Sequence, residues 1–440
     1  MKKLYIETYG CQMNFADSEV VASVLVSHSY IPVAYADEAD LILINTCSIS
    51  DNAEKRVLAR TRELQSLKKR NGNLKIGIIG CMAERMQQEL FEKLEGVDLL
   101  AGPDSYRNLP QLLAQLDAEE RVSDVLLSTS ETYEDIDPLR FQSNYISAFV
   151  SIMRGCNNFC SYCVVPYTRG RERSRPVESI LKETLDLQEK GYKEVTFLGQ
   201  NVNSYDYSDS EGKQWRFPDL LGHIAKQIPS MRVRYATSHP KDISEELIEV
   251  MAAQDNICNS LHLPLQSGST VVLDKMNRKY TREDYLKKVE MIKSKIPDIA
   301  ISTDVIAGFC GETEEDHKLT LSAMKEVDYY YAFMFKYSER PGTLAAKKFD
   351  DDVPDEVKGR RLQEIIELQQ NMSLEHNKRD LGKTFEVLIE GYSKKSELQL
   401  FGRTPQNKVV VFDKGNAKPS ETVKVIIEDC TAATLMGRLV

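Results

Sequence analysis

The sequence predicts a multidomain α/β protein: an N-terminal parallel α/β sheet domain, a central partial barrel of six β/α units and a small C-terminal all-β barrel. Two series of apolar runs alternating with helical patterns, before residue 125 and after residue 145, predict the first two parts. Five short β-like segments predict the third. A chain of 440 residues has room for about three domains. We therefore expect domains at 1–125, 145–378 and 379–440, with an acidic linker at 126–144.

Three apolar runs of the first domain alternate with helical patterns, which is typical of a parallel sheet. The runs are 4–8, 41–45 and 75–80, and the helical patterns lie near 17–28, 51–70 and 84–94. A cysteine follows each run, and we call Cys11, Cys47 and Cys81 the N-terminal triad. Because the carboxyl ends of parallel strands form a ligand crevice, this triad is expected to gather in space and bind a metal. The alternative is three ordinary buried cysteines at strand ends.

The connection after this domain is strongly acidic. Residues 117–137 hold eight acids and one base, Arg121. The acids are Asp117, Glu119, Glu120, Asp124, Glu131, Glu134, Asp135 and Asp137. Charge runs are usually solvated, so we expect a solvated connection between domains, with the rim of an active site as the alternative.

The central domain repeats the β-then-α pattern six times. The predicted strands are 146–152, 194–199, 231–236, 260–264, 299–306 and 330–335, and the predicted helices are 178–190, 217–228, 244–254, 282–295, 314–326 and 355–376. This pattern predicts an open or partial barrel whose ligands lie at the carboxyl ends of the strands.

A polar loop after the first predicted barrel strand carries Cys156, Cys160 and Cys163, which we call the central triad. The C-x3-C-x2-C spacing can supply three thiolates to an iron–sulfur cluster and leave a fourth iron open. Zinc is the alternative metal, but a closed zinc site needs four ligands, and no fourth Cys or His lies within 50 residues of the loop. Three buried apolar cysteines fit poorly, because Asn157 and Ser161 make this segment polar.

Four arginines at alternate positions follow the central triad, at Arg169, Arg171, Arg173 and Arg175. In an extended segment they would project to one side, and guanidinium groups suit phosphates and stack on bases. The alternative is an arginine ladder that pairs with acids across a domain interface.

Polar residues and glycines also follow other predicted barrel strands. They lie in the segments 199–201, 237–240, 264–268 and 304–309. Amides and hydroxyls placed over one mouth of the barrel suit a small zwitterionic ligand, whereas hydrogen-bonded turn caps are the alternative. We interpret Cys258 and Cys310 as packed thiols, because neither has the spacing of a metal ligand.

The tail has five short β-like segments, at 384–389, 398–403, 408–412, 422–427 and 434–440. Their number and length predict a small closed barrel, a common nucleic-acid-binding shape. From Lys383 onward nine basic residues stand against seven acidic ones, a balance of +2 in a chain whose total is −10. This local sign favours RNA, with a protein-docking barrel as the alternative.

The composition of the whole chain bounds its class. The net charge of −10 argues weakly against non-specific nucleic-acid binding. Nine cysteines are too sparse for a disulfide scaffold and are better interpreted as metal ligands or catalytic groups in a reducing compartment. No segment has the pattern of a membrane span, and Glu7 interrupts any signal-peptide pattern. We expect a cytoplasmic protein.

The central triad, with the aromatic Tyr162 before its last cysteine, resembles the signature of radical S-adenosylmethionine (SAM) enzymes. The start at 9–14, Tyr-Gly-Cys-Gln-Met-Asn, together with Cys47 and Cys81, resembles the auxiliary-cluster domain of the methylthiotransferase family of these enzymes. The tail resembles the TRAM RNA-binding domain of the same family. The resemblance covers essentially the whole chain.

The resemblance implies two 4Fe-4S clusters, a SAM-binding one on the central triad and an auxiliary one on the N-terminal triad. It implies two SAM molecules per product, one as methyl donor and one as radical source, and no protein acid or base is assigned as catalytic. The implied SAM pocket comprises Tyr162, Gly199, Gln200, Asn201, Ser238, Gln266, Ile306 and Gly308. Arg169, Arg171, Arg173 and Arg175 are expected to hold tRNA or the interface between domains.

The implied partners are the anticodon loop of tRNA, an electron donor such as a flavodoxin or ferredoxin system, and proteins that donate sulfur or iron–sulfur clusters. We expect a monomer that binds no membrane.

Within the family, Val164-Val165-Pro166-Tyr167-Thr168 and Gly199-Gln200-Asn201 most resemble members that methylthiolate carbon 2 of isopentenyl(dimethylallyl)adenosine at tRNA position 37. The arginine run is shared with members that act on threonylcarbamoyl-adenosine, so it does not separate the two. Members that act on a ribosomal protein, a non-enzymatic iron–sulfur RNA-binding protein and a zinc-loaded RNA-binding module are the remaining alternatives.

Overall fold

The computed structural model describes residues 1–48, 51–116, 118–141 and 144–440. It contains an N-terminal parallel sheet domain, a central partial barrel and a C-terminal closed barrel, so the predicted fold class is confirmed.

The N-terminal domain is a six-stranded parallel sheet with the order β2-β1-β3-β4-β5-β6. The strands are β1 (Lys2–Tyr9), β2 (Tyr30–Pro32), β3 (Leu41–Thr46), β4 (Lys75–Gly80), β5 (Leu99–Ala101) and β6 (Val122–Asp124). The helices are α1 (Gln12–Val26), α2 (Asp51–Gln65), α3 (Cys81–Met86), α4 (Gln88–Lys93) and α5 (Leu109–Gln115). The strand order reverses between β1 and β3, which makes the carboxyl end of these two strands a topological switch point, where open α/β sheets bind ligands.

The central domain holds ten strands and nine helices among the residues that the structure describes. The strands are β7 (Ser147–Ser151), β8 (Met153–Arg154), β9 (Arg173–Ser174), β10 (Glu194–Leu198), β11 (Asp206–Ser208), β12 (Gln214–Arg216), β13 (Arg232–Tyr235), β14 (Ser260–His262), β15 (Ala300–Ala307) and β16 (Tyr331–Lys336). The helices are α6 (Val165–Thr168), α7 (Val177–Glu189), α8 (Phe217–Gln227), α9 (Glu245–Ala253), α10 (Thr270–Lys275), α11 (Arg282–Lys295), α12 (Glu314–Val327), α13 (Leu344–Lys348) and α14 (Asp355–Lys378).

Six of these strands form the partial barrel as two parallel sheets, β7-β10-β13 and β14-β15-β16. An isolated parallel bridge between Val233 and Ile257 joins the two sheets. One face of the strands, including Val195, Val233 and Val305, is buried with apolar residues of the surrounding helices. Because side chains alternate along a strand, the intervening residues line the inner face of the barrel.

Helix α1 joins the first two domains. Met13 and Ala16 on this helix pack with Phe149 and Leu198, which lie on β7 and β10. Helix α1, which begins at the switch point of the first domain, therefore lies against the sheet β7-β10-β13.

The C-terminal domain is a closed barrel with the order β17-β18-β19-β21-β20. Its strands are β17 (Thr384–Ser393), β18 (Ser396–Arg403), β19 (Val409–Asp413), β20 (Thr422–Cys430) and β21 (Leu435–Leu439). Arg234 on β13 donates to the carbonyl oxygens of Thr404 and Pro405 at 2.7 and 2.9 Å, and to Glu194 at 2.7 Å. A buried arginine of the central domain thus anchors the loop after β18.

The acidic stretch is solvated as predicted, since none of its described acids is buried, but parts of it also pack on the first domain. Tyr133 is buried, and its hydroxyl donates to the carbonyl oxygen of Pro103 at 3.0 Å. Arg107 forms ion pairs with Glu131 and Asp135 at 2.9 and 2.7 Å. An aromatic residue and an arginine therefore fix this segment on the first domain. Asp117, one of the predicted acids, lies outside the described residues.

No helix in the described part of the chain combines the length and the apolar character needed to cross a membrane.

Candidate functional site

The central triad lies in the loop between β8 and α6. Gly155 adopts φ +79°, and a Cβ atom there would collide with the backbone of Arg171. Its amide donates to Oε1 of Gln200 at 2.5 Å. On the other side of the loop, the Ser161 amide donates to the carbonyl oxygen of Met276 at 3.0 Å. The Ser161 hydroxyl donates to the carbonyl oxygen of Lys275 at 2.8 Å. The protein's own hydrogen bonds therefore shape this loop on both sides.

Burial and one arginine act in opposite directions on the thiols of the central triad. Burial raises the pKa of Cys156 to about 11 and of Cys163 to about 12. Metal ligation requires thiolates, so a cluster would release protons from these groups. Arg278, which is 4% exposed, donates to Cys160 Sγ at 3.3 Å and to the Tyr162 hydroxyl at 3.4 Å. A guanidinium beside a thiolate stabilises its charge.

The N-terminal triad lies at the switch point of the first sheet. Cys11 precedes α1, Cys47 follows β3, and Cys81 begins α3. The hydrogen bond from Cys47 lowers the pKa of Cys11 to about 6, with Arg169 adding to the effect against the opposing influence of burial. A Cβ atom at Gly10 would lie 2.5 Å from the Cβ atom of Cys47, so only glycine permits this approach.

A buried amide network fixes the N-terminal triad. Asn14 donates to Asn45 Oδ1 at 3.0 Å and to the carbonyl oxygen of Thr46 at 3.2 Å, while its own Oδ1 lies 3.3 Å from Cys11 Sγ. Asn45 donates back to the carbonyl oxygen of Asn14 at 2.8 Å. Two asparagines thus hold the end of β3 against the start of α1.

Among the described residues, no three His, Cys, Asp or Glu side chains converge tightly enough to hold a single metal ion. The thiolates of an iron–sulfur cluster bind different iron atoms, so they need not converge on one point.

Arg169 links the two triads. It lies six residues after Cys163, and its Nε donates to Cys81 Sγ at 3.2 Å. Its Nη2 donates to Asp17 Oδ2 at 2.8 Å, and Arg154 donates to the other oxygen of Asp17 at 2.8 Å. The Nη1 atom of Arg169 is buried and has no hydrogen-bond partner among the described residues.

The other arginines of the run divide into two kinds. Arg173 is buried and pairs with Asp104 at 2.9 Å, and Arg175 is buried and pairs with Glu183 at 2.5 Å. Arg171 is exposed, with its guanidinium 4.5 Å from the centre of the Phe159 ring. The segment bends after α6 instead of staying extended, so the four side chains do not share one side. The geometry of Arg169 and Arg173 matches the interface alternative, and contact with tRNA stays a prediction for all four.

Four predicted SAM-pocket residues lie at the carboxyl ends of β10 and β13. The carbonyl oxygen of Gly199 accepts a hydrogen bond from the Thr237 hydroxyl at 2.5 Å. Gln200 accepts from the Gly155 amide in the loop of the central triad, which we call the cluster loop. Asn201 donates to Asp242 at 2.7 Å. The Ser238 hydroxyl and Asn201 Oδ1 are buried and have no hydrogen-bond partner within the described ranges. Orphaned buried polar atoms at the carboxyl ends of barrel strands fit a small polar ligand such as SAM.

Three of the other four predicted SAM-pocket residues, Gln266, Ile306 and Gly308, lie on or just after strands of the second barrel sheet, and Tyr162 lies in the loop of the central triad. Gln266 bridges to β15 in a left-handed conformation at φ 68°, and the Ile306 amide donates to its carbonyl oxygen at 2.9 Å. Gly308, at φ +76°, donates to Glu312 at 3.0 Å. Tyr162 and Ile306 both pack against the same apolar cluster, which includes Phe309. The two groups therefore flank the cluster loop from both sheets.

Sequence reasoning missed Arg278 and Asp17, and it included His239 only as part of the segment 237–240. Arg278 lies 118 residues from the cysteine that it contacts. His239 is buried with an unpartnered Nε2 among the residues described, and burial lowers its pKa to about 2. The contact of Arg278 with Cys160 depends on how the turn after α10 packs against the loop of the central triad, and no local sequence pattern indicates it.

Three protein-family models match this chain, and they define its class. The sequence profile of the Radical SAM superfamily matches residues 150–324, that of the uncharacterized protein family UPF0004 matches 3–102, and that of the TRAM domain matches 378–440. Membership of the superfamily implies a 4Fe-4S cluster and SAM, for which the central triad and its flanking polar groups are suited.

Similar curated proteins then define the family. The chain is 58% identical to the tRNA-2-methylthio-N(6)-dimethylallyladenosine synthase of Phocaeicola vulgatus, over 99% of this chain and 95% of that protein. It is 57% identical to the protein of the same name from Porphyromonas gingivalis, over 100% of this chain and 95% of that protein. The chain therefore belongs to the tRNA-2-methylthio-N(6)-dimethylallyladenosine synthase family of radical SAM methylthiotransferases, and the predicted membership is confirmed.

Solved structures share the fold at low sequence identity. The radical SAM methyltransferase TsrM of Kitasatospora setae, with tryptophan and a SAM analogue bound, gives a TM-score of 0.59 at 16% identity, covering 79% of this chain and 75% of that chain. The cobalamin-dependent SAM radical enzyme OxsB, with aqua-cobalamin and SAM bound, gives a TM-score of 0.53 at 12% identity. The match covers 84% of this chain and 56% of that chain. Both support the fold alone.

Proposed function

We propose that the chain adds a methylthio group to carbon 2 of isopentenyl(dimethylallyl)adenosine at position 37 of tRNA. Two SAM molecules are used per product, one as methyl donor and one as radical source. The single observation that carries the two-cluster arrangement is the contact of Arg169 with Cys81. An arginine of the segment that follows the central triad donates to a thiol of the N-terminal triad, which supports the proposal that the two cysteine sets act together.

The carbon that reacts explains why such a site is needed. Carbon 2 of an adenine is unactivated, so acid–base or simple nucleophilic catalysis does not serve. When bound, a reduced 4Fe-4S cluster with SAM supplies the radical chemistry that side chains lack. We propose that the N-terminal triad holds the second, auxiliary 4Fe-4S cluster and that its three-ligand set leaves an iron open for sulfur.

The protein's own residues bind and orient these groups. Arg278 and Arg169 each donate to one thiol, on Cys160 and Cys81 respectively, and each offsets the negative charge of ligating thiolates. Ser238 and Asn201 offer unpaired polar atoms to SAM. No side chain is assigned as a catalytic acid or base.

The assignment of functions to domains follows the same division. We propose an auxiliary-cluster domain at 1–125, a connection at 126–144, a radical SAM domain at 145–378 and an RNA-binding barrel at 379–440. The proposed partners are the tRNA anticodon loop, an electron donor of the flavodoxin or ferredoxin type, and a protein that donates sulfur or iron–sulfur clusters. We propose that the chain acts as a monomer in the cytoplasm.

The substrate is tested with the anaerobically reconstituted wild-type protein, SAM and a reductant. It would be given isopentenylated tRNA, threonylcarbamoylated tRNA or a small-subunit ribosomal protein, and products and deoxyadenosine would be read by mass spectrometry. We expect a methylthio product on isopentenylated tRNA alone. A product on either other substrate would overturn the substrate assignment, and the absence of deoxyadenosine in every reaction would favour a non-enzymatic iron–sulfur RNA-binding protein.

A further inference from the structure

Strand β16 exposes three aromatic rings in a row. Tyr331, Phe333 and Phe335, which we call the aromatic ladder, are 46%, 48% and 42% exposed. The rings of Tyr331 and Phe333 lie 5.1 Å apart in an edge-to-face arrangement. The intervening Ala332 and Met334 face the opposite way and join the apolar core that includes residues of α14. A row of exposed aromatic rings on a soluble domain marks a binding surface.

The aromatic ladder lines the inner face of the partial barrel. Its residues are paired with Ser302, Asp304 and Ile306 of β15, in that order. Ile306 is one of the residues flanking the central triad, so the ladder begins beside the predicted SAM pocket and continues away from it. Among the described residues β16 pairs only with β15, which leaves the ladder on the open edge of the barrel.

Polar groups accompany the rings on the same face. The His262 ring lies 5.8 Å from the ring of Phe333, and its Nε2 is 3.4 Å from a carboxylate oxygen of Asp304. His262 also lies 3.0 Å from the Ser302 hydroxyl through Nδ1. The side chains of His262 and Asp304 are 20% and 27% exposed, so both side chains are partly accessible.

We propose that the aromatic ladder receives the isopentenyl-bearing adenine, an inference that rests on the proposed function. An aromatic face stacks on a base of any sequence and also packs against an apolar chain on that base. The neighbouring imidazole and carboxylate are suited to hydrogen bonds with the base edge. A large protein surface fits less well, because the rings lie on the inner side of the barrel next to the pocket in which the chemistry takes place.

The test compares binding of two anticodon stem–loops, with and without the isopentenyl group, to the reconstituted holoenzyme in the presence of SAM. The ratio of the two dissociation constants measures recognition of the modified base. In the Phe333→Ala/Phe335→Ala variant we expect this ratio to fall by about tenfold, because only the isopentenylated stem–loop loses the apolar contact of its isopentenyl chain with the rings. Loss of stacking on the base should in addition weaken binding of both stem–loops by roughly 5- to 150-fold. The kinetic counterpart is a rise in KM for isopentenylated tRNA.

Two further variants keep the inference falsifiable. Phe333→Tyr preserves the ring and is expected to retain the wild-type ratio, whereas Phe333→Leu is expected to lose part of it. Tyr35→Ala is the matched control, because Tyr35 is 66% exposed and belongs to the first domain. Iron content and thermal unfolding would show that the alanine variant is folded.

The outcomes separate the inference from the proposed function. If the wild type makes no methylthio product, the proposed function fails. If it does, but the double variant keeps the wild-type ratio and KM, the inference alone is overturned. A loss confined to reactions driven by a protein reductant, and absent with a chemical reductant, would also overturn it and assign the ladder to protein docking.

Discussion

The Nε of Arg169 donates a hydrogen bond to Sγ of Cys81 at 3.2 Å, across 88 residues of sequence. Both residues are buried, at 3% and 7% exposure. Arg169 follows the central triad in the chain, and Cys81 belongs to the N-terminal triad. One side chain thus ties the loop of the SAM cluster to the domain that we propose holds the auxiliary cluster.

The first prediction concerns this contact. Replacing Arg169 by Gln removes the charge beside Cys81 and leaves Asp17 with Arg154 as its remaining ion-pair partner. Breaking a buried ion pair costs about 3–5 kcal/mol, which is an upper value here because Arg154 remains. We expect the ratio of methylthio product to deoxyadenosine to fall, with urea unfolding reporting the loss of stability.

The matched control is Arg171→Gln, two residues away. Arg171 is exposed and its guanidinium lies over the Phe159 ring, so its loss should change stability by less than about 1 kcal/mol. An unchanged product ratio in the Arg169 variant would contradict the role given to the Arg169–Cys81 contact.

The second prediction is a pH dependence at Asp17. Burial alone would raise the pKa of this carboxyl, but Arg154 and Arg169 outweigh it and lower the pKa below its usual value. A lowered pKa contributes stability that is complete above the unfolded-state value, about 3.9, and is lost as the pH falls through the folded value. The stability difference between wild type and Asp17→Asn should therefore stay constant from pH 7 to pH 5 and shrink only below about pH 4.

Urea unfolding of both proteins at several pH values, in the same metal-free form, measures that difference. A difference that already shrinks between pH 7 and pH 5 would show that the carboxyl titrates too high for this ion-pair arrangement.

The third prediction concerns Arg278. It donates to Cys160 Sγ and to the carbonyl oxygen of Pro264, so Arg278→Met removes a charged donor from the central triad. A hydrogen bond to a charged group contributes about 1.5–3 kcal/mol, so we expect reductive SAM cleavage to slow by roughly tenfold or more. Deoxyadenosine formation and the electron paramagnetic resonance spectrum of the reduced cluster measure the effect.

Arg282→Met serves as the control for this variant. Arg282 at the start of α11 pairs with Glu326 on α12 at 3.0 Å. The hydrogen bond that Arg278 donates to Cys160 does not involve Arg282. Equal losses in the two variants would indicate a general effect of removing an arginine and would contradict a specific role at Cys160.

The fourth prediction compares two glycines with similar backbone angles. Gly155 has φ +79° and no room for a Cβ atom, whereas Gly191 has φ +86° and nothing within 4 Å of an added Cβ. Gly191→Ala should cost only the local strain of about 1–2 kcal/mol. Gly155→Ala should in addition displace the cluster loop and lower iron loading. Iron and sulfide content after reconstitution distinguish them, and equal loading would contradict the need for glycine at 155.

Much of the fold could be predicted because periodicity and strand-end chemistry are local. All six strands of the central barrel and all five strands of the tail were predicted, within a few residues of their ends. In the first domain β2, β5 and β6 were missed, because strands of three residues carry little periodicity of their own. The three-residue β14 was predicted because its apolar run continues past the strand to residue 264.

The contacts of the site could not be predicted from local sequence patterns, because they depend on how distant segments of the chain pack. The sequence placed Arg169 beside the central triad but gave no preference for Cys81 and Asp17 as its partners. Arg278 was missed because its side chain reaches Cys160 only after α10 has folded against the cluster loop. The cysteine spacing, by contrast, was visible because its six ligand candidates fall at strand ends or in one short loop.

The most direct test of the two-cluster account compares wild type with a Cys11→Ala/Cys47→Ala/Cys81→Ala variant. Both would be reconstituted anaerobically and given SAM, a reductant and isopentenylated tRNA, with nucleosides and deoxyadenosine read by mass spectrometry. The account predicts that the variant still cleaves SAM but makes no methylthio-adenosine. A variant that makes the product as well as the wild type does would contradict the separate role of the N-terminal triad.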